Sequence, residues 1–137
     1  MNHSETLIEV QKLVCETLST PDSEEILPNH LLFYDLDFTS MDMLDLLFRL
    51  EDHFQIKIPE GTISNLAQGT LPAHEYEEDG VLTETGRRQL MELLSDTPKE
   101  IFPERIHITT LPRYCTVDAM ARLVDYKLSV QTPNGTK

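Results

Sequence analysis

Several features that mark common protein classes are missing from this sequence of 137 residues. The two cysteines, Cys15 and Cys115, stand in no CxxC or Cys/His cluster, so no zinc site is predicted and both thiols are expected to be buried and reduced. No apolar run approaches the length of a membrane span. The start lacks a basic segment followed by an apolar one, so no secretion signal is predicted and a cytoplasmic location is expected.

Basic residues are scarce as well. Eleven Lys and Arg stand against 24 Asp and Glu, which gives a formal net charge of -13. A charge this far from zero keeps a protein soluble and opposes binding to nucleic acid or to an anionic membrane. It favours partners with basic surfaces, which are found by electrostatic steering. We therefore expect an acidic, monomeric protein that binds neither nucleic acid nor membranes.

Patterns of catalytic and metal-binding residues are also lacking. There is no G-x-S-x-G turn, no phosphate-binding glycine loop and no His paired with an acid near a nucleophile, so no catalytic residue is predicted and an enzyme is not expected. The residues Asp35-x-Asp37-x-Thr39 begin like an EF-hand loop. However, Ser40 occupies the position that needs glycine, and Leu46 the position that needs glutamate. No metal site is predicted.

The pattern that is present is helical periodicity. It predicts helices over about residues 4–18, 40–53, 62–67, 84–95 and 116–128. The N-caps of the first, fourth and fifth helices are predicted to be Ser4, Thr83 and Thr116. The fold class is therefore all-α, a small helical bundle.

Two segments do not fit this helical pattern. The only strand candidate is ERIHITTL, and it is short. The acidic run of residues 75–79 is predicted to be a solvated loop. We expect one domain over residues 1–130, interrupted by an insertion at about 68–115, and a flexible tail over 131–137.

The helix that begins near Ser40 carries apolar residues on two sides. One stripe is a normal core face and consists of Leu46, Leu47, Leu50 and Phe54. A second stripe, Met41, Leu44 and Phe48, either widens that face or forms an exposed docking strip rimmed by acids. Ser40 is either a simple N-cap or the carrier of a phosphodiester, which would lie at the positive end of the helix dipole.

The segment LDFTSMDMLDLLFRLEDHFQIKIP resembles the signature of acyl carrier proteins, in which a serine in a D-S-L-D-like turn is followed by E-L…L-E…F-x-I-x-I-P. The matching positions are Ser40, Met41, Asp42, Leu46, Leu50, Glu51, Phe54, Ile58 and Pro59. The resemblance covers about residues 4–67 and 116–128. It implies an acyl-carrier-like bundle of three main helices and a short one. The insertion, which is partly helical, resembles that of specialised bacterial carriers.

The resemblance also implies a function. Ser40 would receive 4′-phosphopantetheine from coenzyme A through a phosphopantetheinyl transferase, and the arm would hold acyl groups as thioesters. The chain would present them to acyl-transfer or acyl-processing enzymes of fatty-acid, lipid or related biosynthesis. The partner-binding residues would be Met41, Asp42, Leu44, Asp45, Phe48, Glu51 and Asp52. Because Thr39 replaces the aspartate that usually precedes the serine, an unmodified, carrier-like module that only binds and regulates a partner remains the alternative.

Overall fold

The computed structural model describes residues 2–19 and 25–131. Its α-helices are α1 (His3–Leu18), α2 (Ser40–Phe54), α3 (Thr62–Gln68), α4 (Ala73–Tyr76), α5 (Glu84–Leu93) and α6 (Val117–Gln131). Between α3 and α6 lie also a hairpin of β1 (Glu77–Glu78) and β2 (Val81–Leu82), and the 3-10 helices Lys99–Ile101 and Ile108–Tyr114. The prediction of a helical bundle with a partly helical insertion is confirmed. The predicted tail lies outside the described residues from residue 132 onward.

The first helix begins slightly earlier than the sequence pattern indicated. The side chain of Asn2 accepts a hydrogen bond from the backbone N–H of Glu5, and the Glu5 carboxylate accepts one from the N–H of Asn2. This reciprocal capping box makes Asn2 the N-cap. The prediction that Ser4 caps the helix is therefore wrong.

The core of the bundle lies between α1, α2 and α6. α1 packs against both of the other helices, and α6 also contacts α2. The side chains that fill this space are fully buried, among them Val10, Val14, Leu46, Leu50, Val117 and Val124. Truncating a leucine in such a packed interior typically costs about 2–5 kcal/mol of unfolding free energy.

The loop that leads to α2 is held against the start of α6. Leu31, Leu32 and Phe38 are buried. The backbone N–H of Leu32 donates to the carbonyl oxygen of Cys115 at 3.1 Å, and the N–H of Phe38 donates to that of Leu32 at 2.9 Å. Because both hydrogen bonds fix the chain just before Ser40, the start of α2 has a defined position on the bundle.

The acidic run is structured, so the prediction of a loop is wrong there, whereas Glu75, Glu78 and Asp79 are exposed to solvent as predicted. Glu75 belongs to α4, and Glu77 and Glu78 form β1. Asp79 and Gly80 turn the chain with φ angles of 55° and 82°. Two consecutive residues at positive φ are typical of the type I′ hairpin turn, which favours the Asp-Gly pair.

The strand prediction for ERIHITTL is only partly right. Within the described residues, pairing between strands is limited to the short hairpin of β1 and β2, while His107 forms an isolated bridge with Val81. The N–H of Leu82 donates to the carbonyl oxygen of Ile106 at 2.8 Å. From Ile108 onward the segment is a 3-10 helix.

The inserted segment packs on the bundle through α3. The hydroxyl groups of Tyr76 and Ser64 lie 2.9 Å apart, and the side-chain amide of Gln89 donates to the carbonyl oxygen of Ala67 at 2.9 Å. Leu90 and Leu94 of the insertion are buried in the same apolar cluster as the bundle core. The division into one domain with an insertion agrees with this packing but stays a prediction. Across the described part of the chain, no helix is long and apolar enough to cross a bilayer.

Candidate functional site

The start of α2 is capped by Thr39. The hydroxyl oxygen of Thr39 accepts a hydrogen bond from the N–H of Asp42 at 3.1 Å, and the Asp42 carboxylate accepts one from the N–H of Thr39 at 2.9 Å. This is a capping box, with aspartate in place of the more usual glutamate. The interpretation of Ser40 as the N-cap is therefore wrong. The pattern Thr-x-x-Asp before the apolar run could have revealed the cap.

Ser40 is the first helical residue of α2, and its side chain is exposed. The capping box satisfies the N–H groups of Thr39 and Asp42, whereas helix geometry gives those of Ser40 and Met41 no carbonyl within the helix. These two N–H groups lie at the positive end of the helix dipole. The residues present thus fit a phosphate ester on the Ser40 oxygen, because the cap does not use that oxygen.

Four of the five histidines are paired with groups other than Ser40. No cluster of His, Cys, Asp and Glu that could hold a metal ion occurs in residues 2–19 and 25–131. The start of α2 thus presents an exposed hydroxyl group at a helix terminus.

The second apolar stripe of α2 faces solvent. The side chains of Met41, Leu44 and Phe48 are 72%, 45% and 59% exposed, while the opposite face of the helix is buried through Met43, Leu46, Leu50 and Phe54. Of the two interpretations of this stripe, the wide core face is wrong and the exposed strip is confirmed. We call Met41, Leu44 and Phe48 the apolar strip. Its role in partner binding stays a prediction.

The acids near the apolar strip differ in whether a basic side chain pairs with them. Asp45 lies 3.3 Å from the Nε atom of Arg49, and Arg49 also reaches Glu16 of α1 at 3.1 Å. The sequence could place Arg49 on α2 but could not show that it joins two helices. The positive charge of Arg49 offsets the negative charge on this part of the surface. Asp45 therefore presents less negative charge to a partner than the sequence suggests.

Two further acids were predicted to bind partners. The Glu51 carboxylate accepts a hydrogen bond from the backbone N–H of Ile58 at 2.7 Å and so fixes the chain after α2. Asp52 is exposed. Partner binding by Asp42, Glu51 and Asp52 stays a prediction, and two of the three carboxylates also have structural hydrogen bonds.

The two thiols lie inside the protein. Cys15 and Cys115 are both buried, which confirms the expectation from the sequence. Burial raises the pKa of the Cys115 thiol to about 12, and the charge of Asp96 acts in the same direction. The Cys115 thiol is therefore protonated at neutral pH, and a protonated thiol is a poor nucleophile.

The chain is similar to known proteins over the region that contains α2. The family model described as "Phosphopantetheine attachment site" matches residues 9–71, which include α2 and its capped start. An acyl carrier protein of Thermosynechococcus vestitus is 37% identical over 60 residues, which are 44% of this chain and 73% of the relative. Acyl carrier protein AcpXL of Brucella melitensis is 35% identical over 74 residues, which are 53% of this chain and 78% of the relative. No solved structure matches significantly.

The match to the attachment-site model and the similarity to acyl carrier proteins lead to one conclusion. In that family the attachment site takes 4′-phosphopantetheine covalently, and the members are carriers of acyl groups that interact with phosphopantetheinyl transferases and acyl-processing enzymes. The chain, with its helical bundle and its phosphopantetheine attachment site, belongs to the acyl carrier protein family.

Proposed function

We propose that Ser40 is the residue that carries 4′-phosphopantetheine and that the chain, a cytoplasmic monomer without catalytic activity of its own, holds acyl intermediates as thioesters on that arm. The observation that carries the proposal is the exposed Ser40 hydroxyl at the first position of α2, free of any capping role. A phosphodiester formed there lies against the N–H groups of Ser40 and Met41. In the transferase reaction the Ser40 oxygen bonds to the phosphorus next to the pantetheine, the pyrophosphate P–O bond of coenzyme A breaks, adenosine 3′,5′-bisphosphate leaves, and the hydroxyl proton passes to a base of the transferase or to water.

The replacement of the usual aspartate by Thr39 is compatible with this chemistry. Thr, like Asp, is a good N-cap residue. The Thr39 hydroxyl accepts the hydrogen bond from Asp42 at 3.1 Å, so the geometry of the helix start is preserved. What the replacement removes is one negative charge beside Ser40. We therefore expect a change in the rate at which a transferase recognises the chain, and not in whether the serine is modified.

The apolar strip and the exposed acids of α2 are the proposed contact surface for the transferase and for acyl-processing enzymes of fatty-acid, lipid or related biosynthesis. Met41, Leu44 and Phe48 lie on the helix that starts at Ser40. Apolar groups at the centre of an interface and charges at its rim are the usual arrangement in protein complexes. A partner with basic residues around an apolar groove is therefore expected.

The test is the intact mass of the protein after coexpression with a broad-specificity phosphopantetheinyl transferase. We expect the mass of one phosphopantetheine on the parent chain and on Thr39→Ala, and none on Ser40→Ala. Thr39→Ala is the matched control because it removes the neighbouring hydroxyl and loosens the helix start by about 0.5–2 kcal/mol. If the parent stays unmodified, the chain is the carrier-like module that only binds a partner. If Ser40→Ala is still modified, the attachment point is another residue.

A further inference from the structure

An apolar cleft of about 130 Å³ lies between α3, α6 and the inserted segment. Ile63 and Leu66 of α3 line one side, and Met120 and Leu123 of α6 line another. The third side consists of residues from the insertion, Leu93, Leu94 and Cys115. The family model ends at residue 71, so the walls formed by α6 and by the insertion both lie outside the residues that it matches.

The charged group that lines this cleft is paired. The guanidinium group of Arg122 lines the cleft but lies 3.1 Å from the Asp96 carboxylate and 2.6 Å from that of Asp118. Asp96 in turn accepts a hydrogen bond from the Thr116 hydroxyl. The Cys115 thiol is buried and protonated. An apolar lining without a free charge suits a hydrocarbon group, and a thioester placed there meets no thiolate that could cleave it.

The cleft has the volume of a short acyl chain. A cavity of about 150 Å³ in another protein holds one benzene molecule, so a cleft slightly smaller than this takes about five or six carbon atoms. Leu94 is only 3% exposed and, with Leu93, lines the cleft on the side of the insertion. Shortening Leu94 is therefore the change that lengthens the space.

The loop before Ser40 connects the proposed attachment point with the cleft. Phe38 is hydrogen-bonded to Leu32, and Leu32 to Cys115. These bonds and standard backbone dimensions place the Cα atoms of Ser40 and Cys115 no more than about 21 Å apart. An extended phosphopantetheine arm has the length of about five peptide units, roughly 17 Å, and starts at the end of a side chain. An acyl group on the arm therefore comes within reach of the cleft.

From these observations we propose that the inserted segment sets the length of the acyl group that this carrier encloses, with Leu94 as the residue that limits it to about six carbons. The inference rests on the proposed attachment at Ser40. Longer chains leave their remaining carbons outside the cleft. The insertion thus acts on substrate choice through the shape of the carrier itself.

The experiment loads Ser40 with acyl-phosphopantetheine arms of roughly two to twelve carbons and compares the thermal unfolding midpoints of the products. Intact mass first confirms that each arm is attached. In the parent, each methylene that enters the cleft is expected to raise the midpoint by about 2–4 °C, and the rise is expected to stop near six carbons. In Leu94→Ala the rise is expected to continue for about one to three further carbons.

Leu90→Ala is the matched control, because Leu90 is a fully buried leucine of the same segment that does not line the cleft. It is expected to lower every midpoint equally and to leave the dependence on chain length unchanged. If the unfolding midpoint of the loaded parent does not change with the length of the acyl chain, the inference is wrong, but the proposed function is not affected. An unchanged length limit in Leu94→Ala would have the same consequence. Failure of any arm to attach at Ser40 would overturn the proposed function, and the inference with it.

Discussion

Gly86 of α5 allows a sharp test of how closely α4 and α5 pack together inside the inserted segment. In the interior of a helix, replacing Gly by Ala usually raises the free energy of unfolding by about 0.5–1 kcal/mol. At Gly86 the new Cβ atom would lie 2.2 Å from the backbone carbonyl oxygen of Tyr76. That is about 1 Å closer than the roughly 3.3 Å of the shortest favourable C–H···O contacts. We therefore expect the opposite sign.

The Tyr76 carbonyl oxygen has little freedom to move away. It accepts hydrogen bonds from the backbone N–H of Thr83 at 2.9 Å and from the Thr83 hydroxyl at 3.1 Å. Forcing extra atoms into such a site typically costs about 1–3 kcal/mol. For a chain of this size we expect Gly86→Ala to lower the unfolding midpoint by roughly 3–12 °C.

The assay is a thermal melt followed by circular dichroism or calorimetry. Thr85→Ala is the control, because Thr85 is the exposed neighbour on the same helix and its replacement also increases helix propensity. It should leave the midpoint unchanged or slightly higher. A Gly86→Ala protein that melts at or above the parent temperature would show that α4 and α5 are not held together as described.

Two further predictions concern charge. The double variant Asp45→Lys, Asp52→Lys should slow modification by the transferase about 3- to 10-fold at low salt, mainly through the association rate. The control is Glu92→Lys with Glu104→Lys, which changes the net charge by the same amount on exposed residues of the insertion. It should leave the rate of modification unchanged. Equal rates for both pairs would contradict steering by α2. Hydrogen bonds to two α6 carboxylates raise the pKa of His3 above 6.5, so its stabilising contribution is complete below that pH and is lost as the pH rises through the raised pKa. Because His3 is largely exposed, the effect on stability is small. The difference in melting temperature between the parent and His3→Gln should shrink from about pH 5.5 to about pH 8.5. A difference that stays constant over this range would contradict the stabilising role of protonated His3.

The position of the candidate site could be predicted from the sequence because it depends on local order. A helix start, an apolar stripe with a period of three to four residues and a serine at the first position all lie within one short segment. The exposed strip is harder to predict, since periodicity shows that Met41, Leu44 and Phe48 share a face but not what covers it. Only the packing of α1 and α6 on the opposite face of α2 decides that.

The interior of the inserted segment could be predicted only in part. α5 and its Thr83 cap follow from local signals, and the structure confirms both. The hairpin is harder to predict, because each strand has two residues, too few for an alternating pattern, although the Asp79-Gly80 pair is a hairpin-turn signal. Contacts such as that of Tyr76 with Ser64 join residues that are distant in sequence and leave no periodic trace.

The charges around Ser40 bear on the predicted role of the α2 surface in partner binding. Asp42 accepts a hydrogen bond in the capping box, and Asp45 is paired with Arg49. Thr39 stands where the family usually has an aspartate, so the negative potential close to the serine is weaker than the net charge of -13 suggests. The apolar strip is not reduced in the same way, because Met41, Leu44 and Phe48 remain exposed. Since apolar anchors lower the dissociation rate while exposed charges mainly raise the association rate, we expect the strip to determine how long partners stay bound and the acids to determine how fast they arrive.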